Sequence, residues 1–146
     1  MSQQPDSQAL AVASAAAMLE RDQATQSMGI TLIEIGPGYA RMHMTVRPAM
    51  LNGHQSCHGG YIFALADSAF AFACNSYNIV TVAASCAIDY LAPCFAGDVL
   101  QAEAVEQSRS GKTGIYDIAV TNQDGKKIAL FRGKSHQLKE PVTAIG

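Results

Sequence analysis

Between Tyr61 and Cys74 every residue except Asp67 and Ser68 is apolar. A helix made from this run has almost no polar face to turn to water, so the rest of the chain must enclose it. Spanning a bilayer needs ~20 apolar residues, and this run is shorter and carries an acid. The chain must therefore supply a wrapping layer, and the residues on both sides have the alternating pattern of strands. Ahead of the run, Ile30 to Ile35 is strand-like and Gly36-Pro37-Gly38 reads as a turn. Ala40, Met42, Met44 and Val46 then alternate with Tyr39, Arg41, His43 and Thr45. Behind the run, strands are predicted over Ile79 to Leu91, Val99 to Val105, Ile115 to Val120 and Ile128 to His136, with Asp124-Gly125 marking a tight hairpin. Residues 7–27 carry Leu10, Ala13, Ala17, Met18 and Ala24 at helical spacing and predict one N-terminal amphipathic helix. The order is that of an α+β fold, an antiparallel sheet wrapped around a central helix with an N-terminal helix added.

The chain has 146 residues, which fits one domain spanning 1–146, since domains run to ~100–200 residues. Charged residues are only 15% of it, against a usual ~25%, and that shortfall predicts apolar surface covered by a second copy in a homo-oligomer. A net charge of -2 and an isoelectric point near 6.0 give no attraction to polyanions, so nucleic acid is not an expected partner. No P-loop or dinucleotide fingerprint is present. Cys57, Cys74, Cys86 and Cys94 form no C-x-x-C pair and read as small buried thiols of a reducing cytosol rather than as metal ligands or disulfides. The alanine-rich stretch Ala9 to Leu19 has Asp6 where a secretion signal needs positive charge, so it reads as mature structure, and the expected location is cytoplasmic.

Asp67 is the first candidate for chemistry. A carboxylate inside a buried helix costs several kcal/mol unless it is paired or used. It is either a structural hydrogen-bonder or a general base or nucleophile whose basicity rises with desolvation. The polar loop Asn52-Gly53-His54-Gln55-Ser56-Cys57-His58-Gly59-Gly60 supplies the second candidate. Its glycines at the helix start expose backbone N–H groups that can hold a developing oxyanion, or else simply permit a tight turn. Eight residues separate Gly59 from Asp67, ~12 Å along a helix axis, so one substrate carbonyl cannot touch both within a single chain. If they cooperate, they come from two subunits. Asn52 and His58 flank the helix start and can orient the substrate, a water or the loop. Cys57 is a rival nucleophile beside His58, though no nucleophile elbow surrounds it. His43, His54 and His136 read as structural. Arg109, Lys112, Arg132 and Lys134 are either a solvated face or a small cationic ledge for a phosphorylated ligand; Arg132 and Lys134, two apart, share one side of their strand.

The loop just quoted, followed by Leu65-Ala66-Asp67-Ser68-Ala69-Phe70, resembles the PaaI-type thioesterases of the hot-dog superfamily. The likeness continues through Ile88-Asp89-Tyr90-Leu91-Ala92-Pro93 and Phe131-Arg132-Gly133-Lys134-Ser135-His136 and so covers nearly the whole chain. The resemblance implies a curled sheet around a central helix, with protomers paired into dimers with shared active sites and assembled as homotetramers. It implies hydrolysis of acyl-CoA thioesters, with phenylacetyl-CoA and its ring-hydroxylated relatives as the expected substrates in phenylacetate catabolism. By the same resemblance Asp67 activates water or attacks the thioester, and the Gly59 N–H of the opposing subunit polarises the carbonyl. Asn52 positions the reacting centre, His58 supports loop and substrate, and Ser85 holds the water near Asp67. Arg109, Lys112, Arg132 and Lys134, with Gly133 between the last two, are offered to the CoA phosphates. The acyl pocket is expected from Leu51, Tyr61, Phe63 and Phe70. Coenzyme A is part of the substrate, and neither cofactor nor metal is called for. Two other readings stand beside this one: a non-catalytic acyl-CoA-binding hot-dog module, and a hot-dog hydratase or dehydratase, which releases no thiol.

Overall fold

A computed structural model describes residues 6–144. Its elements run α1 (Ser7–Arg21), α2 (Gln23–Ser27), β1 (Thr31–Gly36), β2 (Tyr39–Thr45), a single 3₁₀ turn (Pro48–Met50), α3 (Gly59–Cys74), β3 (Thr81–Tyr90), β4 (Val99–Ser110), β5 (Thr113–Thr121) and β6 (Lys127–Gln137). The strands form one sheet in the order β1-β2-β4-β5-β6-β3, every pair antiparallel. α3 lies across its inner face and meets all six strands. The wrapped central helix predicted from the apolar run is therefore present. No helix among the described residues is long and apolar enough to cross a membrane.

Alternation builds the inner face. Along β4, β5 and β6, buried residues such as Leu100, Ala104, Tyr116, Ile118 and Phe131 point at α3, and the residues between them face outward. From α3 they receive Ile62, Leu65, Ala66, Ala69, Phe70 and Phe72, all buried. The helix approaches closely because small residues make room. Gly133 in β6 lies directly under the Phe70 ring, which in turn packs against Tyr116 and Phe131 with ring centres 5.7 and 6.0 Å away. The enclosure is incomplete. Phe63, Ala64, Asp67, Ser68 and Ala71, spaced three and four apart, are only half-buried and form one open stripe along α3.

Two boundaries differ from the sequence reading. The single helix over residues 7–27 is broken at Asp22, whose carboxylate accepts from the Thr25 N–H at 2.9 Å and from the Thr25 hydroxyl at 2.6 Å and so caps a new, short helix. Asp6 caps α1 in the same way through Ala9. β4 runs on past Val105 to Ser110, because a bulge at Gln107 resets its pairing with β5 and the polar residues beyond still complete the ladder to the Gly111-Lys112 turn.

A Cβ at residue 133 would stand 2.7 Å from the Phe70 ring. Gly133→Ala should therefore destabilise the fold by ~1–3 kcal/mol through overpacking, read as a lower urea midpoint with an unchanged m-value.

Candidate active site

The start of α3 is held from both sides. Cys57 N–H donates to the Cys94 carbonyl at 2.7 Å, and His58 N–H donates to the Met50 carbonyl at 2.8 Å. His58 is the N-cap, its Nδ1 accepting from the Gly60 N–H at 2.9 Å, while the Tyr61 N–H is turned to the His58 carbonyl. Of the first three donors of the helix, Gly59 N–H is the one that meets no acceptor among the described residues. It points out of the helix's positive end with its donor capacity unspent. Tyr90, the last residue of β3, lies over it: its hydroxyl donates to the Gly59 carbonyl at 2.9 Å, and its ring stands 3.1 Å from where a Cβ on residue 59 would sit. Tyr90 is 51% exposed, and with Cys57, Ile62, Leu91 and Pro93 it borders a cleft of about 420 Å3 beside Gly59.

Asn52 organises the loop that leads here. Its Oδ1 accepts from the N–H groups of His54 and Ser56, and its side-chain amide donates to the Ser56 hydroxyl at 3.0 Å. The amide is thus engaged within the loop, and Asn52 shapes the approach to Gly59. Cys57 is 5% exposed, and its thiol is paired with that of Cys94, whose hydrogen bond lowers the Cys57 pKa despite burial. His43 bonds Gln101 at 3.0 Å on the sheet, away from this loop.

Asp67 sits halfway along the open stripe of α3. Burial raises its pKa, and the carboxylate of Asp22 raises it further; no donor among the described residues offsets either. The corner between α1 and α2 rests against this part of α3, where the Thr25 hydroxyl lies 3.1 Å from that of Ser68. From the sheet, Cys86 comes closest in effect, its thiol pKa pushed up by burial and by the Asp67 charge.

The structure redraws several positions expected from sequence. Ser85 pairs with Lys134 across the β3–β6 ladder, and partners directly opposite share a face, so it points outward with Lys134 while Cys86, opposite Gly133, faces α3. A bulge at Ala84 sets this register, which one sequence could not fix. Within one protomer Ser85 therefore lies on the face opposite Cys86. Gly133 is buried against Phe70 and has a packing role instead of a place beside phosphate. Phe70, 1% exposed, belongs to the core and not to an acyl pocket. The four basic residues do not form one ledge. Arg132 and Lys134 do share the outer face, but Arg132 is held by Asp117 through contacts of 2.6 and 2.8 Å. Arg109, opposite the inward-facing Gly114, stacks on the Tyr77 ring at 3.5 Å on the helix side of the sheet, and Lys112 sits in the β4–β5 turn. Tyr90 is the residue the sequence reading passed over. Its signal was the exposed aromatic at a strand end just before Pro93.

A family model described as the thioesterase superfamily matches residues 54–129. The acyl-coenzyme A thioesterase PaaI of Escherichia coli (strain K12) is 51% identical over 127 residues, 87% of this chain and 91% of that protein. The solved structure of the E. coli PaaI protein from the phenylacetic acid degradation operon superposes with a TM-score of 0.91 at 48% identity, covering 93% of this chain and 99% of that one. A mutant of phenylacetic acid degradation protein PaaI from Thermus thermophilus gives 0.77 at 39% identity, over 80% of this chain and all of that one.

The state of Asp67 can be read from stability. Its pKa is raised on folding, so the neutral acid favours the folded state below the unfolded value of 3.8, and that contribution is lost as pH rises through the higher folded value. Asp67→Asn should therefore be more stable than the parent at neutral pH, with the difference vanishing below pH 3.8. Denaturant midpoints at the two pH values check this, and a less stable variant at neutral pH would reveal a hidden partner for the carboxylate.

Proposed function

The chain belongs to the thioesterase superfamily and has its hot-dog fold, and from that premise we propose that Asp67 of one protomer and Gly59 of its partner together hydrolyse acyl-CoA thioesters. One observation carries the reading. In a region where other polar groups are engaged, the Asp67 carboxylate lacks a donor and the Gly59 N–H lacks an acceptor among the described residues. They are a base or nucleophile and an oxyanion donor left free for a substrate. Eight residues of α3 separate them, ~12 Å, which is why the donor must come from a second α3 running the other way.

β3 offers the place for that second copy. It forms the edge of the sheet, pairs among the described residues with β6 alone, and is exposed along most of its length. Pairing β3 with the partner's β3 would continue the sheet and remove an open edge. The outer face of the sheet exposes Val105 and Leu130 around a cavity of about 440 Å3, and two such dimers would meet there in a tetramer. The chain 1–146 acts in this assembly as one thioesterase domain.

In the reaction, the thioester carbon receives oxygen either from a water whose proton passes to Asp67 or from the carboxylate itself. The tetrahedral oxyanion accepts the Gly59 N–H at the positive end of the helix. Collapse breaks the C–S bond and expels the CoA sulfur; on the water route the proton held by Asp67 passes to the leaving thiolate, and on the carboxylate route water then cleaves the mixed anhydride, each restoring Asp67. His58 and Asn52 hold the donor in place through the cap and the loop. The open stripe places Phe63 and Ala64 within a turn of Asp67, and Phe63 is steadied edge-on by Phe131 at 5.2 Å. This surface suits an aryl-acetyl group, in keeping with phenylacetyl-CoA and its ring-hydroxylated relatives. Lys112 and Lys134, exposed and without an ion pair among the described residues, suit the CoA phosphates better than Arg132, which Asp117 already holds. Four free thiols fit a reducing cytoplasm.

Free thiol release from phenylacetyl-, hydroxyphenylacetyl- and straight-chain acyl-CoAs tests the activity. Aryl-acetyl esters should turn over fastest and Asp67→Asn should lose orders of magnitude; binding without thiol release would leave only an acyl-CoA-binding module. Gly59 is the first helical residue, where a missing N–H is compatible with the helix, but a Cβ there meets the Tyr90 ring, so Gly59→Pro is made together with Tyr90→Ala and compared with Tyr90→Ala alone; loss of the free N–H should cost ~10²–10³-fold in kcat. Mixing Asp67→Asn subunits with Gly59→Pro/Tyr90→Ala subunits should restore activity, since the mixed dimer contains one site with both groups. Failure to complement would place both groups in a single chain.

A further inference from the structure

Asp22 is a second acid close to Asp67, and its contacts are more than those of a helix cap. Its Oδ1 accepts from the Thr25 N–H and its Oδ2 from the Thr25 hydroxyl, which lies 3.1 Å from the hydroxyl of Ser68, the neighbour of Asp67 on α3. Thr25 is 1% exposed, so this chain of contacts is shielded at its middle link. Among the described residues no cation neutralises Asp22. Arg21, next to it, sends its guanidinium to the carbonyls of Ala17 and Val142, at 3.1 and 2.7 Å. Among the described residues the ion pairs are Arg41–Glu34 and Arg132–Asp117, both on the sheet.

We propose that Asp22 is a positioning residue for Asp67: the chain Asp22–Thr25–Ser68 locks the α1–α2 corner onto α3 so that the reacting carboxylate works beside a fixed negative charge. The proposal rests on Asp67 being the reacting carboxylate. Like charges in proximity disfavour ionisation, so Asp22 makes Asp67 a stronger base at the cost of its ionised range at low pH. The other titratable groups facing Asp67 are the thiols of Cys86 on β3 and Cys74 at the end of α3, both pushed up by burial first and by the Asp67 charge in addition. Neither is charged at neutral pH, so Asp22 supplies the charge that Asp67 senses. The N-terminal segment is thereby part of the catalytic apparatus, joined to it by three oxygen atoms.

The test compares the parent with Asp22→Asn, Asp22→Glu and Thr25→Val, all checked for folding by circular dichroism. Two readouts are taken: the pH profile of kcat/KM, and the titration of the Asp67 carboxyl carbon by NMR. Asparagine caps helices as well as aspartate does, so Asp22→Asn should fold with its Oδ1 still on the Thr25 N–H; its amide can only donate to the Thr25 hydroxyl, and Thr25→Val, which breaks that link and keeps the charge, separates the bond from the charge. Its acidic limb and its Asp67 resonance should both move to lower pH by a few tenths of a unit or more, and plateau kcat/KM should fall several-fold, the response to a weaker base. Asp22→Glu, which keeps the charge, should titrate nearer the parent. Thr25→Val, which frees the acid from Ser68, should move in the direction of Asp22→Asn but less far. An Asp67 titration unchanged in Asp22→Asn overturns the proposal, as does an equal movement in Asp22→Glu. Should Asp22→Asn fail to fold, an unmoved Asp67 titration in Thr25→Val overturns it alone. The NMR readout needs no turnover, so it stands apart from the thioesterase reading, which fails if Asp67→Asn still releases thiol.

Discussion

Enclosing one helix in one sheet forces the backbone of the sheet to come close to the helix. In this protein that approach is made at glycine. The Phe70 ring occupies the space above Gly133, and Tyr116 and the Ser135 hydroxyl occupy the space above Gly114. The first contact brings α3 down onto β6, the second leaves room for inward-facing side chains of the sheet itself, and among the described residues the helix so held keeps one open stripe. The open stripe holding Asp67 is a consequence of how the other sides are closed. Closing the rest tightly is what leaves a carboxylate half-dry and without a donor, which is how a fold raises the basicity of an acid.

The two ends of α3 show how selectively polar groups are left free. At the C-terminal end Asn75 ties the helix to β3. Its side-chain amide donates to the carbonyls of Ala71 and Thr81, its Oδ1 accepts from the Thr81 N–H, and its own carbonyl accepts from Ser14. At the N-terminal end the imidazole of His58 and the carbonyl of Met50 take the donors around Gly59 and leave that one bare. An orphaned donor at a helix end is ordinary only where water or a ligand can reach it, and Gly59 borders an open cleft. One end of the helix is a structural anchor, and the other keeps an N–H free beside a cleft.

The architecture was legible because it rests on periodicity: an apolar run too hydrophobic to be exposed, bounded by alternating segments, allows little except a helix inside a sheet. Asp67 and Gly59 were legible for a related reason, each breaking the rule of its surroundings. The two-subunit geometry proposed for them needs nothing beyond helical rise, given that both act on one carbonyl. The facing of Ser85 was hidden, because a single bulged residue at Ala84 changes which side chains face the helix, and no local pattern announces it. The four basic residues were read as one ledge although strand pairing sends Arg109 and Arg132 to opposite faces. Gly133 was given to a ligand because a glycine between two cations looks like a phosphate site until the ring above it is seen. The break at Asp22 was hidden by good helix formers on both sides, and with it the corner that rests on Ser68. Tyr90 needed the tertiary structure, since nothing local connects it to a glycine on another element.

Gly59 is not among the residues with a left-handed backbone, so its own conformation would accept a side chain. What excludes one is Tyr90, whose ring lies 3.1 Å from the missing Cβ and whose hydroxyl ties it there. The two positions are therefore linked in descent. A lineage that lets residue 90 shrink is released from glycine at 59, while one that keeps the tyrosine is confined to it. The order of substitutions matters: the aromatic must yield before the helix start can gain a methyl group. Divergent relatives should record that history as paired changes thirty-one residues apart in sequence and in contact in space.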